Sequence, residues 1–183
     1  MKNLLIKRDD ALVLAVDYQE RLIPAMHDAD DLIKSSERFI KGARVLGIPC
    51  VVTQQYTKGL GPTVAPIADA LGDFEPLEKS SFNILLTEGC RKAIEDTGRK
   101  TVILIGIEAH ICIQQTALAL LEEGYEVVIL SDCVSSRSKG NKKTAEARMA
   151  KAGAVITSYE AALFEFMGTS GDPDFKEISK IIK

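Results

Sequence analysis

An alternation of two hydrophobic periods constrains this chain more than any other feature. Continuous apolar runs, too short for helices, stand at 11–16 (ALVLAV), 50–52 (CVV), 101–107 (TVILIGI), 127–130 (VVIL) and 154–157 (AVIT), with a further strand candidate from Phe74 to Lys79. Such runs are the mark of strands covered on both faces. Between them, apolar residues recur at three- and four-residue steps, as in Leu32, Ile33, Phe39, Ile40, Ala43 and Leu46, the spacing of one face of a helix. Gly47 closes that segment; Gly98, Gly124 and Gly153 close Thr87–Thr97, Ile111–Glu123 and Thr144–Ala152 in the same way. A glycine just before a strand is a natural helix stop.

Strands that alternate with helices pair in parallel through right-handed crossovers. The expected fold class is therefore α/β: a three-layer α/β/α, doubly wound (Rossmann-like), mainly parallel six-stranded sheet in the order 3-2-1-4-5-6. In that order strands 1 and 4 adjoin, and their carboxyl ends flank the switch-point crevice. Asp17 and the segment GIEAHIC fall at those two ends. A single domain over 1–183 accounts for the whole chain, and at that length a core forms without disulfides or a structural metal. The tail adds SYEAALFEFMG at 158–168, whose Leu163, Phe164, Phe166 and Met167 either complete the core or meet another subunit, and then a helix capped by Asp172 with Pro173 in its first turn.

Several function classes recede on composition. A formal net charge of −3 offers no general attraction to a phosphate backbone, so no nucleic-acid partner is expected. No apolar run reaches the roughly 18 to 20 residues that span a bilayer, and the start MKNLLIKRDD meets acidic residues before a signal-peptide core develops, so no membrane association and a cytoplasmic location are expected. Cys50, Cys90, Cys112 and Cys133 lie far apart with no C-x-x-C pair, the pattern of reduced thiols. Arg137, Lys139, Lys142 and Lys143 read as a solvated loop leading into a helix, with anion binding the lesser alternative. Gly59 to Gly61 lacks the strand-turn-helix context of a phosphate loop and reads as a flexible flap.

Cys112 follows a buried strand at the start of a helix, where unsatisfied N–H groups favour an anion and lower a thiol's pKa; the alternative is a small buried hydrophobe. Cys50, Cys90 and Cys133 lack that setting and read as structural. Asp17 ends an otherwise apolar strand, where a carboxylate must be paired or must cap the following turn. Lys79, beside Ser80 and Ser81 in a suggested turn, reads on its own terms as a surface lysine.

Taken together, the Asp of LAVDYQERL, the Lys of EKSSFN and the Cys of GIEAHICIQQTALALLEEGYEVVILSDCVSSR resemble the isochorismatase-like cysteine hydrolase superfamily, which includes nicotinamidases and N-carbamoylsarcosine amidohydrolase. The resemblance extends over the chain up to its last helix. It implies a catalytic triad of Asp17, Lys79 and Cys112, with Asp17 exchanging protons with the thiol and the leaving amine and Lys79 holding both anions. It implies an oxyanion hole from the backbone N–H groups of Glu108 and Cys112, and a cis peptide at Ile107–Glu108. Gln19, Leu22, Gln54, Phe82 and His110 are the substrate-binding candidates by family position, His110 as a pocket wall or scaffold residue. The implied reaction is cleavage of a small amide-type C–N bond through a thioester, by an enzyme whose relatives form homo-oligomers. Metal-dependent nicotinamidases add an Asp and two histidines, whereas TQQYTKGLGPT offers Gln54, Gln55 and Tyr56 and no histidine. Neither metal nor cofactor is therefore expected, which weighs against nicotinamide as substrate. The alternatives are a true isochorismatase, protonating a vinyl ether from Asp17 with no covalent intermediate, and a non-catalytic interaction protein on the same fold.

Overall fold

The computed structural model describes residues 5–183; the first four residues of the MKNLLIKRDD start lie outside them. Six strands, β1 (Ala11–Val16), β2 (Cys50–Gln55), β3 (Leu77–Lys79), β4 (Thr101–Ile107), β5 (Glu126–Ser135) and β6 (Val155–Thr157), form one sheet in the order β3-β2-β1-β4-β5-β6. Every ladder is parallel. The helices are α1 (Ala29–Val45), α2 (Thr57–Leu60), α3 (Ala65–Leu71), α4 (Glu88–Asp96), α5 (Gln114–Glu122), α6 (Lys139–Ala152), α7 (Tyr159–Met167) and α8 (Phe175–Ile181).

The period of two divides each central strand between two cores. Ala11, Val13 and Ala15 of β1 pack with Leu32, Phe39 and Ile40 of α1, Ile67 of α3, Leu163 of α7 and Ile178 of α8. Leu12, Leu14 and Val16 pack on the opposite face with Ile94 of α4, Leu120 of α5 and Met149 of α6. All residues of β1 and β4 are buried, which is why both read as unbroken apolar runs.

Four local expectations are corrected. β5 runs on to Ser135, because its register against β4 jumps from Leu104↔Ile129 to Gly106↔Val134. Side chains serve the bulged backbone instead of a neighbouring strand: Lys142 Nζ donates to Ser131 O (2.6 Å) and Tyr18 OH to Cys133 O (2.8 Å). α6 begins at Lys139, so Lys139, Lys142 and Lys143 lie in a helix and not in a loop before one; its first turns are polar and carry no apolar period. Thr57–Leu60 forms a helical turn where a flap was expected. The last helix starts at Phe175, and Asp172 accepts from the Asp174 N–H in the turn before it (2.9 Å). Leu163, Phe166 and Met167 are core residues, while Phe164 is 39% exposed.

Candidate active site

Val16 ends β1 opposite Gly106 of β4. Gly106 has φ +113, and a Cβ there would lie 2.0 Å from Val16 O, so only glycine lets the two strands close at this point. Directly beyond, Asp17 takes a left-handed backbone (φ 55), a conformation that Asp tolerates better than most residues. Its N–H donates to Thr53 O (3.1 Å) and its carbonyl accepts from the Gln19 N–H (2.7 Å), which turns the chain out of the sheet and leaves the carboxylate in the crevice.

Lys79 reaches the same place from the end of β3, opposite Gln55 in the ladder. Its ammonium donates to Asp17 Oδ2 (2.6 Å), to Gln55 Oε1 (2.7 Å) and, at longer range, to Ser81 O (3.3 Å) and Cys112 Sγ (3.8 Å). The Lys79 and Asp17 side chains are 0% and 2% exposed, so this is a buried ion pair, which persists only when its remaining polar positions are satisfied. Thr53 satisfies the second carboxylate oxygen, donating to Asp17 Oδ1 (2.8 Å).

Cys112 lies in a π-helical turn, Ala109–Ile113, that precedes α5, so the expected helix from Ile111 is divided in two. The peptide Ile107–Glu108 is cis. The expectation of a lowered thiol is overturned: burial pushes the Cys112 thiol up to about 12, Lys79 pulls against that shift, and the charge of Asp17 and its hydrogen bond with the thiol add to it. Desolvation outweighs the neighbouring cation, because a proton on sulfur removes the charge that burial penalises. Cys112 is thus held as a thiol between a carboxylate and an ammonium.

The remaining site candidates are placed as follows. Glu108 holds Arg137 through its Oε2, which accepts from the Arg137 N–H (3.0 Å) and Nε (3.1 Å). His110 pairs Nδ1 with Ser136 Oγ (3.0 Å). Gln19 is fully buried, its Nε2 donating to Gln55 O and Gly61 O and its Oε1 accepting from the Gln55 N–H. Gln54 bonds Thr63 and Thr57. Leu22 packs against the core on the α1 face, and Phe82 is 52% exposed. Lys79 also borders a cavity of about 350 Å³ with Tyr56, Glu78, Ser80 and Thr87. Thr53 and Gln55 are absent from the expected set, yet they touch the two charged residues directly. Their signal was positional: they alternate along β2 on one face, and the 3-2-1 order sets that face between Asp17 and Lys79.

The fold and the site together define a doubly wound α/β protein with a buried carboxylate, an ammonium and a thiol at its switch point. The chain belongs to the isochorismatase domain family, whose model matches residues 11–161. It is 43% identical over 167 residues to isochorismatase domain-containing protein 1 of Salmo salar, covering 91% of this chain and 59% of that protein; it thus spans about three fifths of that relative's length. A MAR1 ribonuclease structure from Caenorhabditis elegans superposes with a TM-score of 0.90 at 36% identity, covering 97% of this chain and 92% of the other. The YcaC gene product of Escherichia coli, described as an octameric hydrolase of unknown specificity, superposes with a TM-score of 0.93 at 23% identity, covering 100% of this chain and 91% of the other. At that identity the likeness extends to the fold alone.

Proposed function

We propose that the protein is a cysteine-dependent hydrolase that cleaves a small amide-type C–N bond. The observation that carries this reading is the buried Lys79–Asp17 pair (2.6 Å) standing 3.8 Å from Cys112 Sγ at the switch point. Sγ attacks the substrate carbonyl carbon as the thiol proton passes to Asp17, a base already hydrogen-bonded to it. The Glu108 and Cys112 N–H groups receive the resulting oxyanion. Asp17 returns the proton to the leaving nitrogen, the amine departs, and a thioester remains. Water attacks the thioester, Asp17 takes its proton, and the acid and free thiol are released. With a thiol pushed up to about 12, proton transfer accompanies attack; Lys79 serves chiefly to keep the base charged and in place.

The substrate in this reading is a small molecule, the enzyme needs no metal, and the exposed Phe82 and Leu86 near the site fit burial in a homo-oligomer. The nematode relative is called a ribonuclease; the net charge of −3 here gives RNA little electrostatic footing. The test is a panel of primary amides, carbamoyl compounds, isochorismate and a short single-stranded RNA, assayed with wild type and Cys112→Ser. Cys112 is the residue to change, because removing one partner of the buried pair costs about 3–5 kcal/mol and would confuse chemistry with folding. We expect C–N cleavage that falls by about 10³-fold or more in Cys112→Ser. Turnover of isochorismate or RNA that survives the substitution overturns the covalent reading.

A further inference from the structure

We infer that Thr53 and Gln55, two residues of β2 to which no role is otherwise attached, are positioning residues that hold Asp17 as a carboxylate and Lys79 as an ammonium. This inference rests on the thiol chemistry proposed above and adds the part of the site that keeps both charges in a buried crevice.

Asp17 and Lys79 each have polar capacity beyond their mutual bond, and at 2% and 0% exposure water supplies little of it. Thr53, fully buried, gives its hydroxyl proton to Asp17 Oδ1 at 2.8 Å. A donor to a carboxylate oxygen favours the ionised form. Gln55 does the converse: its Oε1 accepts from Lys79 Nζ at 2.7 Å, which favours the protonated amine. Gln55 is itself fixed at several points. Its Nε2 donates to Ser80 O (2.9 Å), its backbone N–H donates to Gln19 Oε1 (2.7 Å), and its carbonyl accepts from Gln19 Nε2 (3.0 Å). The amide oxygen is therefore turned toward Lys79 by bonds that do not involve the ion pair. The titratable groups that face the pair are Cys112 from the π-helical turn and Cys90 from α4, whose thiol feels both Lys79 and Asp17.

Two residues of one strand thus act on opposite ends of one ion pair, and each loss has its own signature. The readout is the rate at which acrylamide alkylates Cys112 between pH 4 and 10, followed by mass spectrometry on the full chain, which requires no known substrate. Thr53→Val removes the donor to Asp17 and moves the acid limb up by roughly one pH unit, while Thr53→Ser restores it. Gln55→Met removes the acceptor for Lys79 and lowers the alkylation rate by about tenfold, while Gln55→Glu, which keeps an acceptor oxygen toward Lys79, restores it. Gln55 is only part-buried, so its variants keep the test open if Thr53→Val does not fold. An acid limb that stays in place in Thr53→Val, together with a Gln55→Glu rate as low as that of Gln55→Met, means a purely structural role and overturns this inference alone. Absence of selective Cys112 alkylation in the wild type overturns the thiol reading and this inference with it.

Discussion

At the scale of single residues, the state of Cys112 ties stability to pH. Its thiol stands at about 12 in the folded chain against an ordinary value of 9.0, chiefly because it is buried. Above pH 9 the unfolded chain loses this proton and the folded chain keeps it. The stabilisation is therefore complete below about 9 and disappears as pH rises toward 12. Cys50, also pushed up to about 12 by burial, acts in the same direction. Urea midpoints measured from pH 8 to 11 should fall with rising pH, and Cys112→Ala should make that fall shallower than in wild type. Equal slopes in the two proteins would show that the Cys112 thiol is not desolvated as described. The helix-start position of Cys112 was plain in the sequence, but its burial was not. Burial depends on the cluster that Cys112 joins, to which Ile84, Cys90 and Ala117 come from other elements.

At the scale of elements, β4 decides whether the site can form. A Cβ at Gly106 would collide with Val16 O, and the two strands that pair there lead into Asp17 and, through the π-helical turn, Cys112. Gly106→Ala meets both a backbone angle that alanine avoids and a contact of 2.0 Å with Val16 O, so a loss of more than about 4 kcal/mol is expected. Thermal unfolding of Gly106→Ala beside Gly98→Ala, whose Cβ meets nothing within 4 Å, checks this: a small, equal loss in both would refute the close-approach role. The limits of β1 and β4 could be read directly, since a fully buried strand is an unbroken apolar run with polar ends. β5 could not be read to its end, because Ser131 and Asp132 interrupt the run where the strand bulges and Lys142 replaces a ladder partner. Thr53 and Gln55 were hidden for a related reason. A polar residue alternating at a strand end looks like one facing solvent until the neighbouring strands are known.

At the scale of the whole molecule, the strand order gathers the three residues on which the proposed chemistry rests. The described residues contain no group of three or more His, Cys, Asp or Glu arranged to hold a metal, and no described helix is long and apolar enough to cross a membrane. Dialysis against a strong chelator should leave Cys112-dependent turnover unchanged; activity that is lost and then restored by zinc or iron would place a Lewis acid in the mechanism. The sheet brings together residues far apart along the chain: 62 positions separate Asp17 from Lys79, and a further 33 separate Lys79 from Cys112. No contiguous fragment shorter than that whole stretch can hold all three. In the proposed mechanism a growing chain therefore emerges with its base first, its cation next and its nucleophile last. On the proposed mechanism, selective alkylation of Cys112 would report that β4 has taken its place beside β1 and brought the thiol to Lys79 and Asp17.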